Sequence, residues 1–317
     1  MPPAAVAEKT LDPRKFRDPR ITARGERRAT VAFKGLRTLW FNTGTLCNLA
    51  CRNCYIESSP TNDRLVYLTA VEVRAYLDEI ARDRLPTEEI GFTGGEPFMN
   101  PELCTMLEDC LARGFRVLVL TNAMKPMMKK REALLRVKAK AGDRLILRVS
   151  IDHYSRDLHQ LERGRRSWAP AIEGVRWLLA NGFTVHVAGR TFTGQGEAEI
   201  RQGFARLFTG EGWPVDAEDP LELVVFPEMD TRVDVPEITD SCWGILRKSP
   251  DAMMCASSRM VVKRKGAERP AVLACTLLPY DPQFELGATL EEASAAVPLN
   301  HPHCARFCVL GGGSCSK

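Results

Sequence analysis

Residues 38–55 read TLWFNTGTLCNLACRNCY, and they decide the fold. Thr38 to Asn42 is a short apolar run of strand character. It empties directly into a loop that carries Cys47, Cys51 and Cys54 in the spacing C-x3-C-x2-C. Three thiols within eight residues can wrap one face of an iron–sulfur cube, because thiolates are the usual cluster ligands. Three ligands for four irons leave one iron open, and an open iron at a strand end is a place for chemistry. The competing reading is a zinc knuckle. Zinc wants four ligands, and no His or fourth Cys lies nearby to complete it.

Outward from this stretch the chain alternates. The capping box Thr69-Ala-Val-Glu72, with Leu68 and Val73 as its hydrophobic staple, predicts a helix starting near Thr69. Glu89 to Thr93 reads as a buried strand closed by Gly94-Gly95. Helices are expected over 101–113, 127–141, 168–181 and 197–209, and strands over 115–121, 145–151, 183–188 and 221–226. Six strands separated by helical crossovers imply a parallel α/β sheet with right-handed connections. Six units are two short of a closed eight-fold barrel, so the expectation is a partial (β/α)6 barrel. Its functional groups belong on the loops after the strands.

Several of those loops carry chemistry-bearing residues. Gly94-Gly95-Glu96-Pro97 follows the second strand, Thr121-Asn122 ends the third, Ser150-Ile-Asp152 ends the fourth, and Arg163-Gly164 lies in the next loop. Together with Cys47-Asn-Leu-Ala-Cys51-Arg-Asn-Cys54-Tyr55, this series resembles the radical S-adenosylmethionine enzymes over roughly residues 36–230. The resemblance implies a 4Fe-4S cluster on Cys47, Cys51 and Cys54 whose open iron chelates S-adenosylmethionine. It further implies that the backbone of Gly94 and Gly95 approaches the ligand's amine, with Glu96 as an added acceptor. Arg163 would offer a fork to the carboxylate, and Ser150 and Asn122 would bond the ribose or methionine part. That family usually carries an aromatic or His before the third cysteine. This chain has Asn53 there, so the adenine contact falls to Asn53 or Tyr55.

Eleven cysteines in a chain of 317 residues call for metal more than for disulfides. Six lie in the tail: Cys242, Cys255, Cys275, Cys304, Cys308 and Cys315. The stretch from Cys255 through Lys265-Gly266 to Cys275, then Phe284-Glu-Leu-Gly287 and Thr289-Leu-Glu-Glu292, resembles the start of a SPASM extension. The resemblance implies one auxiliary iron–sulfur cluster of the shortened twitch type. A hairpin turning near Gly266 would join Cys255 to Cys275, with two of Cys304, Cys308 and Cys315 completing the set. Cys242 is the weakest candidate. Zinc is the alternative, because His301 and His303 flank Cys304. Cys104 and Cys110 read as small core hydrophobes.

Composition bounds the rest. Charged residues at 26% and hydrophobic residues at 44% are ordinary for a globular chain. No run approaches a membrane span and residues 1–10 lack a secretory pattern, so a cytoplasmic location is expected. Residues 1–37 hold ten Lys/Arg and four Asp/Glu, a balance of +6 against +4 for the whole chain, which leaves −2 for the remainder. That basic segment reads as a solvated, partly mobile lead-in rather than a nucleic-acid contact. The expected division is an arm at 1–36, a core at 37–235 and a Cys-rich extension at 236–317. The resemblance implies an enzyme that forms a 5′-deoxyadenosyl radical and abstracts hydrogen from a peptide or protein substrate. It also implies an electron donor such as flavodoxin or ferredoxin. A small-molecule substrate in cofactor biosynthesis is the competing enzyme reading. A non-catalytic zinc or iron–sulfur module contacting nucleic acid is the reading from a different class. The catalytic residue itself is not assigned by the sequence.

Overall fold

A computed structural model describes residues 10–191 and 194–314. The expected alternation appears as β2 (Thr38–Asn42), α1 (Ala70–Arg82), β3 (Glu89–Thr93), α2 (Leu103–Ala112) and β4 (Arg116–Thr121). Then come α3 (Lys125–Lys129), α4 (Arg131–Ala141), β5 (Leu145–Ser150), α5 (Arg156–Arg163), α6 (Trp168–Ala180), β6 (Thr184–Thr191), α7 (Glu197–Glu211) and β7 (Leu223–Pro227). Strand β1 (Thr30–Val31) precedes them. The Thr69 hydroxyl accepts from the Glu72 amide and the Glu72 carboxylate accepts from the Thr69 amide, so the capping box forms as read. The helix expected over 127–141 is two helices that meet at Lys130.

Strands β2 to β7 pair in chain order, all parallel. The sheet does not stop at β2. Strand β8 (Ser258–Val262) pairs parallel with β2, and β9 (Ala271–Leu273) and β10 (Glu285–Gly287) continue it antiparallel. The nine-stranded order is β10-β9-β8-β2-β3-β4-β5-β6-β7. The expected boundary near 235 therefore does not divide the sheet, because the C-terminal segment adds three strands to it.

Both faces are buried, as a parallel sheet requires. Leu145, Leu147 and Val149 of β5 pack with the helices in one core. Trp40, Leu118, Met260 and Val262 join the C-terminal segment in a second core on the other face. The chain before β2 belongs to that second body. Strand β1 pairs with β11 (Val297–Pro298), Thr10 bridges to Val233, and Ala29 and Val31 are fully buried. From residue 10 onward the segment is thus packed, which corrects its expected role as a solvated lead-in. Residues 1–9 lie outside the described ones. No helix among the described residues is long and apolar enough to cross a membrane.

Candidate functional site

The loops after β2 to β7 converge on a cavity that is open to solvent. Cys47, Cys51 and Cys54 line it together with Asn53, Tyr55, Gly94, Gly95, Asn122, Ser150, Asp152, Arg163 and Arg190. Every site residue expected for the cofactor except Glu96 is on that wall.

The two glycines set how closely two loops approach. Gly94 sits at φ +137, and a Cβ there would fall 2.5 Å from the Gly44 carbonyl oxygen. A Cβ on Gly95 would fall 2.2 Å from the Leu46 oxygen. The Gly95 amide donates to Gly44 O (2.8 Å) and the Glu96 amide to Leu46 O (3.2 Å). The glycine loop thus grips the start of the cysteine loop, and the Gly95 N–H is spent there rather than aimed at a ligand.

Glu96 is likewise engaged within the protein. It is 1% exposed and accepts from the Thr121 hydroxyl (2.8 Å), the Asn122 amide (2.8 Å) and the Phe98 amide (3.2 Å). Burial raises its carboxyl to about 6 against those donors. It locks the end of β4 to the end of β3 and lies behind the cavity wall rather than on it. Asn122, held by that lock, donates to Asn48 Oδ1 (2.9 Å) inside the cysteine loop.

Arg163 is not in a loop as expected. It is the last residue of α5, and Gly164 stops the helix at φ 94. Nη2 of Arg163 donates to Asp152 Oδ1 at 2.9 Å. Its Nε is buried without a partner among the described residues. Burial opposes the charge on Arg163, but the Asp152 carboxylate beside it outweighs that and holds the guanidinium charged. Asn53 is anchored from two sides. Its amide donates to Glu162 Oε2 (3.0 Å), and its carbonyl accepts from Arg190 Nη1 (3.0 Å). The side chain is therefore engaged with α5, and Tyr55 stands beside it in the cavity lining. Glu162 went unnoticed in the sequence, where its adjacency to Arg163 was the only signal. Phe226, Met229, Leu277 and Phe307 supply an apolar far wall, the last two from the C-terminal segment.

Among the described residues no three Cys, His, Asp or Glu groups stand close enough to hold a single metal ion, but Cys47, Cys51 and Cys54 share one cavity wall, the all-thiol set that the implied cluster takes. Burial pushes the Cys47 thiol up to about 12 and raises Cys51, so metal binding must displace protons there. The charged edge of Arg163, with its orphaned Nε, is the chemistry a bound carboxylate would satisfy.

A second, small apolar cavity is lined by Cys255, Cys275, Cys304 and Cys308, with His303 beside them. Strands β8 and β9 form the expected hairpin, with Gly266 at φ 80 in the turn. Cys304 and Cys308 share a π-helical turn, Cys304–Leu310. Burial and then the neighbouring Cys275 and Cys255 raise the Cys304 thiol well above its ordinary value. An all-thiol donor set in apolar surroundings fits a cluster. Nδ1 of His303 is buried without a partner among the described residues. Cys242 is not on that wall; its sulfur accepts from Thr239. Cys315 lies outside the described residues. Cys110 is in the helix-side core, with Cys104 packed against it.

The comparisons agree with this geometry. The profile of the radical SAM superfamily matches residues 41–207. The antilisterial bacteriocin subtilosin biosynthesis protein AlbA of Bacillus subtilis is 31% identical over 147 residues, which cover 46% of this chain and 31% of that protein. GTP 3′,8-cyclase of Rhodococcus opacus is 34% identical over 134 residues, covering 41% of this chain and 36% of that protein. The chain thus matches about a third of the length of these curated relatives. Among solved structures, Streptococcus suis SuiB bound to S-adenosylmethionine superposes with a TM-score of 0.58 at 14% identity, over 80% of this chain and 63% of that one. Native anSMEcpe with bound AdoMet gives 0.57 at 13% identity, over 81% of this chain and 79% of that one. The chain belongs to the radical SAM superfamily.

Proposed function

We propose that this chain is a radical SAM enzyme acting on a peptide or protein, with an auxiliary cluster in its C-terminal segment. The observation that carries the reading is the convergence of Cys47, Cys51 and Cys54 with Asn122, Ser150, Asp152 and Arg163 on one cavity. Cys47, Cys51 and Cys54 would hold the first cluster, and Arg163 would hold the carboxylate of S-adenosylmethionine. Ser150 and Asn122 would position the ribose or methionine part. When bound, the cluster would supply the one-electron chemistry that cleaves S-adenosylmethionine for hydrogen abstraction from the substrate. The protein's part is position and exclusion of water. Glu96, Thr121 and Asn122 fix the glycine loop, and Glu162 and Arg190 fix Asn53. Phe226, Met229, Leu277 and Phe307 keep the substrate side dry.

Peptide chemistry is supported by the names of similar proteins. SuiB was solved with its precursor peptide SuiA, and AlbA serves subtilosin biosynthesis. A small-molecule substrate is the second reading, favoured by the GTP 3′,8-cyclase match. An external one-electron donor and a cytoplasmic location belong to the proposal.

The test is anaerobic reconstitution. Iron and sulfide are counted, dithionite and S-adenosylmethionine are added, and 5′-deoxyadenosine is assayed. About eight irons per chain with 5′-deoxyadenosine formed is the expected result, two 4Fe-4S clusters being present. Zinc in place of iron, with no product, leaves a metal-binding module instead.

A further inference from the structure

His303 is a buried polar residue outside the four-thiol set of the small cavity. It is 7% exposed, and its Nδ1 has no hydrogen-bond partner among the described residues. Folded proteins rarely leave such a nitrogen unpaired, because its lost hydration is not recovered. Its surroundings offer it little but sulfur. His303 lines the cavity of Cys255, Cys275, Cys304 and Cys308, whose other walls are methionine, leucine, valine, alanine and phenylalanine side chains. Apart from the thiols, it is the single polar side chain on that wall among the described residues.

The chain holds the ring in this place. The His303 amide donates to His301 Nδ1 (3.1 Å) and the Cys304 amide to the His301 carbonyl (2.9 Å), so residues 301–304 form a closed turn. The two imidazoles stand edge to face with centroids 4.7 Å apart. His303 immediately precedes the π-helical turn that carries Cys304 and Cys308. Two buried arginines border the site, and both are engaged elsewhere. Arg28 donates to the Leu299 carbonyl (3.3 Å) and to the Glu237 carboxylate. Arg259 donates to the carbonyls of Cys255, Ala293 and Ala295. One sulfur already takes a backbone bond, since the Leu277 amide donates to Cys275 Sγ (3.3 Å).

We infer that His303 donates a hydrogen bond from Nδ1 to a sulfur of the auxiliary cluster and so raises the reduction potential of that cluster. The inference rests on the auxiliary cluster of the proposed function. Reduction adds one electron and makes or breaks no bond. It places more negative charge on the sulfurs, so an N–H directed at sulfur stabilises the reduced state more than the oxidised one. Apolar walls strengthen that bond, because little competes with it electrostatically. A neutral imidazole has one N–H to give, and four cysteines already meet the ligand need of a 4Fe-4S cluster. A donor role therefore fits His303 better than ligation to iron. Leu277 lines both this cavity and the larger one, so the tuned centre lies directly behind the substrate wall.

The test is a redox titration of the reconstituted full-length protein, with dithionite as reductant and each cluster followed by electron paramagnetic resonance. The signal that changes when S-adenosylmethionine is added marks the first cluster, and the other is the auxiliary one. His303→Leu removes the donor and leaves an apolar wall. His303→Asn keeps an N–H at the position of Nδ1. The Leu variant should lower the reduction constant of the auxiliary cluster about tenfold, a shift of about 59 mV for one electron. The Asn variant should lower it about threefold or less. The first cluster should stay within about twofold of wild type in both. Exchange into deuterium oxide should remove a proton coupling from the auxiliary signal of wild type, and that coupling should be missing from the Leu variant. An unchanged auxiliary potential in the Leu variant overturns the inference. So does an Asn variant shifted as far as Leu, which marks lost packing rather than a lost N–H. Loss of about four irons in both variants, with helical circular dichroism retained, makes His303 a ligand and overturns the donor role. A wild-type protein with about four irons and no second signal is a separate result: it counts against the auxiliary cluster itself, and the inference falls with it.

Discussion

Gly95 shows how much of the site depends on one missing methyl group. A Cβ there would meet the carbonyl oxygens of Leu46 at 2.2 Å and Thr45 at 2.8 Å, and both are backbone atoms that cannot swing aside. Gly95→Ala must therefore push the cysteine loop away. The variant should lose about four irons per chain while keeping its helical circular dichroism. Retention of the full iron count would mean that the two loops need not touch. Glu96 makes a prediction of the opposite kind, about charge. Its folded value near 6 is raised above the ordinary 4.5, so the folded protein holds this proton more tightly than the unfolded chain. The ionised form therefore costs stability, by about 2 kcal/mol at pH 7, and the cost disappears as pH falls through 6 to 4.5. Glu96→Gln cannot titrate. In denaturant melts, wild type should gain on the Gln variant by about 1–2 kcal/mol between pH 7 and pH 4.5. A constant difference would show that the carboxylate is not paying for its burial. Sequence reasoning placed both residues at the site but did not show the contacts they make within the protein. It gave the glycine backbone and the Glu96 carboxylate to a ligand's amine, because a motif shows which residues cluster and not which of their hydrogen bonds are already used within the protein.

Elements were more legible than their partners. Hydrophobic runs, the Thr69–Glu72 box and Gly266 located six strands, their main crossovers and the C-terminal hairpin. Periodicity does not say which edge a strand joins, so the parallel pairing of β8 with β2 was invisible. Helix α5 was missed because it is polar: its buried residues are His159 and Glu162, neither of which reads as a core position. The second cysteine group shows the same limit. Cys255 precedes β8, Cys275 follows β9, and Cys304 and Cys308 sit one turn apart in the π-helical segment. Only the fold brings the four to one cavity. Cys275→Ser and Cys304→Ser should each remove about four irons and lower the thermal midpoint, since metal binding there is also folding energy. Cys242→Ser should leave the iron count unchanged, because its sulfur bonds Thr239 away from that wall. Loss of iron in the Cys242 variant would redraw the ligand set.

At the scale of the whole molecule, the charge asymmetry of the sequence is resolved by contact. The basic stretch before β2 lies on the acidic stretch after β7, with Lys15 on Asp234, Arg27 on Asp240 and Arg28 on Glu237. Exposure separates these pairs. The first two are partly solvated and contribute little, whereas the side chains of Arg28 and Glu237 are 0% and 6% exposed. The Arg28 guanidinium also donates to the carbonyls of Asp18, Ile21 and Leu299, and Glu237 accepts the amides of Phe16 and Ala23. One buried arginine thus ties the N-terminal segment to the strand end that leads, four and five residues on, to His303 and Cys304. Arg28→Met leaves the Glu237 carboxylate buried without its cation and should cost about 3–5 kcal/mol. Arg28→Met with Glu237→Leu removes both charges and should recover part of that loss. Deletion of residues 1–36 strips β1 from β11 and opens Leu299 to water, so the auxiliary cysteines should lose their iron at a lower temperature than the first three do. Iron release followed separately for each cluster during heating checks this. If the deleted protein holds both clusters as firmly as the full chain, the segment is a lead-in after all. If the auxiliary cluster fails first, residues 10–36 are a structural part of the C-terminal body, contributed from the other end of the chain.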